Sequence, residues 1–377
     1  MSKFFFVAGE DSGDARAAEV IREMKWLSPE CEIHAYGGER MREAGATIHF
    51  PLTDLAAVGL GWVRNIRHYL RAGRQIFDLC RQYGIETLVL VDFPGFNLRV
   101  AARARKQGFR VVYYIIPQVW AWRRGRLKQM KRDLDLAIVV FPFEKDLLES
   151  AGIPALFSGH PLVDRFKAKR PGTEIRREAG LPQSEDIPLV GLLPGSRKSE
   201  VRRLSPILLE SARILWRQNP SLHFVVPRAS TIPASTIDEM FGQGIPWTPV
   251  DNPSPDLRSV FRMAITKSGT STLENALLGV PQVVVYKGGA IEAWVARRLV
   301  EVRWLGLVNI LAGKEICPEF LQENCIPSRI ADASCPLLAD SPPREKMLRD
   351  MEEAVSSLGA GNAARRAAQA ILEKGES

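Results

Sequence analysis

Short runs of consecutive apolar residues alternate along this chain with longer charged stretches whose apolar positions recur at helical spacing. "KFFFVAGE" reads as a buried strand ending in a glycine-containing loop, and "DARAAEVIREMKWL" follows with Ala17, Val20, Ile21 and Met24 on one helical face. "CEIHAYGG", "ETLVLVDFPG", "FRVVYYIIPQ" and "LDLAIVVFPF" are the next strand candidates, the last three separated by "NLRVAARARKQG" and a basic stretch. Apolar runs without alternation belong to strands covered on both faces, and strands alternating with helices build a parallel sheet. From about residue 167 to 188 the chain turns polar, and an inter-domain linker is placed near the start of that stretch. The pattern then restarts, with "PLVGLLPGS", "LHFVVPRA", "RMAITKSGT" and "PQVVVYKG" as strands.

The predicted fold is therefore α/β, with two Rossmann-like, doubly wound parallel-sheet domains facing each other across a cleft. The domains are placed at 1–166 and 167–342, and 343–377 is a helical segment for which packing back on the first domain is an option. A length of 377 residues is long for one compact core and agrees with two. Ligands of such sheets sit at the carboxyl ends of the strands, so strand-end loops are where chemistry is sought.

Composition narrows the partners. A net charge of +8 favours anionic surfaces. Between Pro117 and Arg132, "PQVWAWRRGRLKQMKR" sets six basic residues beside two tryptophans, which fits a nucleic acid, a membrane surface or an anionic substrate. No RNP, KH or zinc-finger pattern supports nucleic acid. The five cysteines are scattered and lack CxxC spacing, so free thiols in a reducing compartment and no zinc site are expected. The apolar run in "MSKFFFVAGEDSGD" is too short for a signal peptide, and no other stretch reaches membrane-spanning length. A cytoplasmic protein that touches a membrane without crossing it is expected.

Several strand-end motifs carry candidate chemistry. In "GLLPGSRKSEV", Ser196 and the free N–H groups of the following turn fit an anion, and Arg197 fits phosphate oxygens; a helix cap with a surface arginine fits equally. This is not a Walker A loop, because GxxxxGK[ST] is absent. "KSGTSTLENALLGVP" has the same grammar: helix N-terminal amides suit a diphosphate and Glu274 suits a ribose diol. Ser271 with Glu274 also fits a capping box. In "AGEDSGD", Glu10, Ser12 and Asp14 offer polar groups at a strand end; acids on the first turn of a capped helix are the plainer explanation. "VLVDFPGFN" puts Asp92 at the end of an apolar strand, where it fits a general base or an Asx turn before Pro94. "DLD" at 133–135 is a weak metal signal that opens a buried strand, and the histidines show no ligand spacing. His160 fits a cleft residue and a packed histidine alike.

Taken in order, "AGEDSGD", "DFPGFN", "PQVWAWR", "FPFE", "GHPLVD", "LLPGSRKSE", "SGTSTLE" and "NILAGKEICPEFLQ" resemble the lipid-A-disaccharide synthase family, from about residue 4 to 325. The resemblance implies the GT-B type of two-Rossmann glycosyltransferase. The implied reaction joins UDP-2,3-diacylglucosamine to 2,3-diacylglucosamine 1-phosphate, giving a β-1,6-linked disaccharide 1-phosphate and UDP. It further implies a peripheral protein on the inner face of the cytoplasmic membrane of a Gram-negative bacterium, with no organic cofactor; from the residues themselves no metal is expected. Homodimerisation through the second domain is an open option.

Carried over by position, the resemblance makes Asp92 the catalytic base for the acceptor 6-hydroxyl. Gly195, Ser196 and Arg197 meet the donor diphosphate, Gly269, Thr270 and Glu274 the nucleotide, and Asn309 a phosphate or the nucleotide. Glu10, Ser12, Gly13 and Asp14 form the first loop, and Gln118 and Trp120 stand at the cleft with the basic residues beyond. "AWVARRLVEVRWLGLV" (293–308) is a second amphipathic candidate for membrane contact. The chain departs from the family pattern at Asp11, usually alanine; at Gly95, often an acid or aromatic; at Val308, usually proline; and at Trp62, usually glutamate. Two other classes of reading stand beside this one: another UDP-sugar enzyme of the same fold, such as a 2-epimerase, and a membrane-associated binder without activity.

Overall fold

The structure is a computed structural model, and it describes all residues except 1, 53–65, 122–124, 167–169, 230–231, 243, 290–302 and 374–377. Trp62, Trp122 and most of the 293–308 segment therefore lie outside the described residues. The chain divides into two compact units, Met1–Asp164 with Leu358–Ser377, and Arg165–Ser357.

Unit 1 runs β1 (Lys3–Ala8), α1 (Asp11–Leu27), β2 (Glu32–Gly37), α2 (Glu39–Glu43), β3 (Thr47–Pro51), α3 (Ile66–Tyr83), β4 (Thr87–Val91), α4 (Pro94–Lys106), β5 (Arg110–Tyr114), α5 (Arg126–Asp133), β6 (Leu136–Val139), α6 (Pro142–Ser150), β7 (Ala155–Phe157) and α7 (Pro161–Arg165). Its seven strands are parallel in the order β3-β2-β1-β4-β5-β6-β7. Every residue of β4 is buried, as the unbroken apolar run predicts for a strand covered on both faces.

Unit 2 continues with α8 (Gly172–Glu178), β8 (Leu189–Leu193), α9 (Lys198–Gln218), β9 (His223–Arg228), α10 (Ala234–Phe241), β10 (Trp247–Asp251), β11 (Met263–Lys267), α11 (Thr270–Leu277), β12 (Gln282–Tyr286), α12 (Leu307–Ala312), β13 (Glu319–Leu321), α13 (Pro327–Leu338) and α14 (Pro342–Ser356). Six parallel strands lie in the order β10-β9-β8-β11-β12-β13. Each unit encloses its own core: Phe5, Tyr113 and Leu88 are fully buried in the first, and Phe224, Leu208 and Ile265 in the second.

The last helix, α15 (Ala363–Leu372), belongs to unit 1. It lies on α1 through small residues, with Ala363, Ala367, Ala368 and Ile371 fully buried. The Asp164 carboxylate accepts the N–H groups of Asn362 and Ala363 at 2.7 and 3.0 Å, placing negative charge at the positive helix end. At the other end Arg110 donates to the carbonyls of Ile371 and Ala370.

Strand order reverses between β1 and β4 in unit 1, and between β8 and β11 in unit 2. Loops that leave adjacent strands in opposite directions open a crevice at such a point, and ligands of doubly wound sheets bind there.

Candidate active site

In unit 1 the predicted first-loop and strand-end motifs fall on the two strands that flank the reversal. Ala8 pairs with Val91, so the motif segments 9–14 and 92–97, each a two-residue turn running into a helix, leave side by side. Asp92 and Phe93 both have left-handed backbone, with φ of 47° and 49°. Each costs on the order of 1 kcal/mol for a residue with a Cβ, and such strain persists only where its surroundings fix it. They do. Asp92 N–H donates to the Tyr114 carbonyl at 3.0 Å. Its own carbonyl accepts from the Tyr113 hydroxyl at 2.6 Å and from Asn97 Nδ2 at 2.8 Å. Asn97 is wholly buried and donates to Val91 as well, which binds the turn to the strand. Gly9 is required opposite, since a Cβ there would overlap the Phe93 ring.

This turn holds the half-buried Asp92 carboxyl in place. Burial pushes it up to about 6, the negative charge of Glu10 adds to the rise, and the Phe93 N–H opposes it. A carboxylate that titrates near neutrality is matched to taking a proton from a hydroxyl. Glu10 and Ser12 are exposed at the start of α1. Asp11 is exposed beside them, an acid in the first turn of a helix. Gly13 is buried behind them. Asp14 is turned inward: its carboxylate accepts the N–H groups of Gly38 at 2.7 Å, Arg40 at 3.2 Å and Met41 at 3.3 Å, and so caps α2. Gly95 opens α4, and nothing lies within 4 Å of where its Cβ would be.

After β5, Ile115 has a φ of 59° and starts the 115–121 loop. Gln118 is exposed on it, whereas Trp120 is buried. The Trp120 indole donates to Glu144 Oε1 at 2.9 Å and stands edge-on to Phe143. Glu144 also accepts the Phe141 N–H at 3.2 Å as the third residue of α6, and burial pushes its carboxyl up to about 7. The sequence had marked "FPFE" without giving its glutamate a task; the buried acceptor for an indole was not readable from a capping pattern. His160 packs on Phe141 and accepts the Leu162 N–H, and burial, with Arg16 nearby, pushes it down to about 4. In "DLD", Asp133 pairs with Arg132, and Asp135 pairs with Arg105 and accepts the Val111 N–H.

In unit 2 the loops after β8 and β11 line a pocket of about 330 Å³ with Gly195, Ser196, Gly269 and Thr270. Gly195 has a φ of 111°, and a Cβ would stand 2.5 Å from Glu200 Oε2. Gly269 has a φ of 134° and precedes α11. The capping box offered as the plainer alternative for Ser271 and Glu274 does not form: Gly269 is the cap position, and the Glu274 carboxylate pairs with Arg258 at 2.7 Å. Arg258 is held in turn by the Ser271 carbonyl, Ser271 Oγ and Asn275 Oδ1. On α9 the third residue, Glu200, reaches back to accept the Arg197 N–H at 3.4 Å. The Arg197 side chain itself is 82 % exposed. Arg258, Lys267 and Glu200 also line the pocket, and the sequence reading assigned none of them.

Asn309 is wholly buried in α12. Its Oδ1 accepts the N–H groups of Ile316 and Cys317 at 2.8 and 2.9 Å, and its Nδ2 donates to the Cys317 carbonyl and Glu319 Oε1, both at 2.8 Å. The side chain thus holds the loop that leads into β13. Val308, where the resembled pattern has proline, is fully buried in the unit 2 core. Among the described residues no helix is long and apolar enough to cross a membrane.

Residues 4–373 match the family model described as Lipid-A-disaccharide synthetase. The chain is 36 % identical over 373 residues to a lipid-A-disaccharide synthase of Myxococcus xanthus, covering 98 % of this chain and 97 % of that one. It is 40 % identical over 330 residues to lipid-A-disaccharide synthase 1 of Legionella pneumophila, covering 86 % and 85 %. Among solved structures it is similar to UDP-GlcNAc 2-epimerase from Neisseria meningitidis bound to UDP-GlcNAc, with a TM-score of 0.67 at 12 % identity over 98 % of this chain and 99 % of that one. It is also similar to MurG of Acinetobacter baumannii, with a TM-score of 0.60 at 14 % identity over 98 % and 99 %. At such identities the two structures speak for the fold alone, the paired Rossmann-like units of GT-B enzymes.

Proposed function

The chain belongs to the lipid-A-disaccharide synthetase family and is a glycosyltransferase of lipid A biosynthesis, and from that premise we propose that it condenses UDP-2,3-diacylglucosamine with 2,3-diacylglucosamine 1-phosphate. The product is the β-1,6-linked disaccharide 1-phosphate, with UDP released. The observation that carries the mechanism is the Asp92 carboxyl, fixed in a strained strand-end turn and raised to about 6.

An α-linked donor giving a β-linkage requires inversion, hence one in-line displacement. Asp92 takes the proton of the acceptor 6-hydroxyl as its oxygen bonds to the donor anomeric carbon. The bond from that carbon to the diphosphate oxygen breaks in the same step, and the pair of electrons leaves with UDP. The unit 2 pocket then serves the leaving group: Ser196, the amides that open α9 and α11, and Arg197 face the growing charge. Glu274, oriented by Arg258, serves the ribose. Glu10, beside Asp92, keeps the base from ionising too readily, so that it holds a proton more firmly once it has taken one.

Contact with an anionic membrane fits the exposed Arg105 and Lys106 of α4 and Lys128, Lys131 and Arg132 of α5, helices that pack together in unit 1. The test is UDP release by purified protein in detergent, with each lipid alone and both together, with and without EDTA, beside Asp92→Asn. Release that needs both lipids, survives EDTA and collapses in the variant is the expected result. Intact folding and UDP binding with no release at any acyl length would refute the substrate assignment. Turnover of non-acylated UDP-N-acetylglucosamine would point to another UDP-sugar enzyme.

A further inference from the structure

The unit 2 pocket contains a carboxylate where the proposed reaction needs to hold a diphosphate. Glu200 side-chain exposure is only 15 %, and its two oxygens have separate tasks. Oε2 accepts the Arg197 N–H and lies against Gly195. Oε1 stands 3.0 Å from the Lys267 ammonium, which reaches it from the last position of β11. A second acid at this end of the unit, Glu274, is neutralised differently. Its partner Arg258 is held by three further acceptors on α11 and cannot turn to a ligand without losing them.

Lys267 is placed otherwise. Its side chain is 23 % exposed and lines the pocket. Nζ lies 3.8 Å from where a Cβ on Gly269 would be, directly against the turn that opens α11. It therefore stands between the starts of α9 and α11. An ammonium group has three N–H donors. The contact with Glu200 uses one, which leaves donors for oxygens arriving from the open side. Arg197, the cation named by the sequence motif, has an 82 % exposed side chain and lies 3.9 Å from Glu200.

We propose that Lys267 is the pocket cation that receives the donor's phosphate oxygens, and that Glu200 anchors its ammonium while the pocket is empty. Glu200 remains tied to the α9 cap when the ligand enters, so the ammonium is shared between carboxylate and phosphate rather than handed over. The inference rests on the donor reading above and adds a residue to it. Its specific consequence is that Lys267 acts on the phosphates and not on the nucleoside.

The experiment compares UDP and uridine binding to the full-length wild type, Lys267→Met and Lys267→Arg by calorimetry, with uridine read as a competitor. Losing one charge-assisted contact is expected to weaken UDP about tenfold or more in Lys267→Met. Uridine should be unchanged, Lys267→Arg should recover most of the loss, and the salt dependence of UDP binding should be flatter in Lys267→Met. UDP binding at wild-type strength in Lys267→Met overturns the inference. Equal losses for UDP and uridine overturn it too, because Lys267 then only holds the α9–β11 packing through Glu200. A wild type that binds neither ligand overturns the donor reading itself, an outcome distinct from both.

Discussion

Asp92→Asn is expected to stabilise the protein while strongly slowing transfer. The carboxyl rises from 3.8 to about 6 on folding. A shift of about 2 units corresponds to about 3 kcal/mol of preference for the protonated form. The sign follows from proton counts. Between 3.8 and 6 the folded state binds more proton than the unfolded state, so stability falls as pH rises through that window. Below 3.8 both states are protonated and the group costs nothing. Near pH 5 about half of the cost is present, and above pH 7 all of it. Asparagine removes the ionisation and still tolerates left-handed backbone, so the turn at φ 47° is kept. The urea midpoints of wild type and variant should therefore diverge from pH 5 to pH 8, with the variant the more stable. In the wild type, kcat/KM should fall with unit slope below about pH 6, and the variant should lose about 10²- to 10⁴-fold, the range of general-base contributions. A variant of equal or lower stability whose difference from wild type does not change with pH would refute the argument from burial. A flat kcat/KM profile through pH 6 would refute the role of Asp92 as base.

Asn309→Ala should lower stability by about 3 kcal/mol or more, since the N–H groups of Ile316 and Cys317 lose their buried acceptor, while UDP affinity of the folded fraction stays unchanged; urea unfolding and calorimetry read the two effects. Glu144→Gln keeps an acceptor for the Trp120 indole but cannot ionise. Because Glu144 is raised to about 7, wild-type stability should fall as pH rises from 5 to 8, and the fall should be shallower in the variant, as thermal unfolding followed by tryptophan fluorescence would show.

The apolar runs predicted the inner strands of both sheets, and the four strands they left unmarked are the four sheet edges. β3, β7, β10 and β13 each pair on one side only. Half-buried residues fill β3, β7 and β13 apart from the two exposed ends of β3, and β10 carries Pro249. Edge strands are short, partly solvated and tolerant of proline, so they present no unbroken apolar signal. Motif positions at strand ends located Asp92, Gly195 and Gly269, because a doubly wound sheet places its ligand loops there. The direction in which each polar side chain turns was not legible. Asp14 and Asn309 point inward to backbone N–H groups, and no local pattern distinguishes a carboxylate or amide that caps a neighbouring element from one that faces a ligand. Arg258, Lys267 and Glu144 were missed for the complementary reason: their partners are distant in sequence, so even the motifs that contain Lys267 and Glu144 do not show what those side chains meet.

The two sheet reversals solve one backbone problem with different residues, and the difference bears on what each does. In unit 2 the tight strand-end turns use Gly195 and Gly269, at φ of 111° and 134°. Glycine enters that region without steric cost, and the turn then offers only backbone amides, which is sufficient for holding phosphate oxygens. In unit 1 the corresponding turn after β4 uses Asp92 and Phe93 at positive φ, where glycine would relieve the strain. Glycine would also remove the carboxyl, and with it the one group at that strand end able to accept a proton near neutrality. In the proposed reaction the chemistry at the unit 1 turn belongs to a side chain, and that at the unit 2 turns to the backbone. On that proposal the turn at Asp92 serves proton transfer and the turns at Gly195 and Gly269 serve anion binding, the division of labour that an inverting transfer from a nucleoside diphosphate sugar requires.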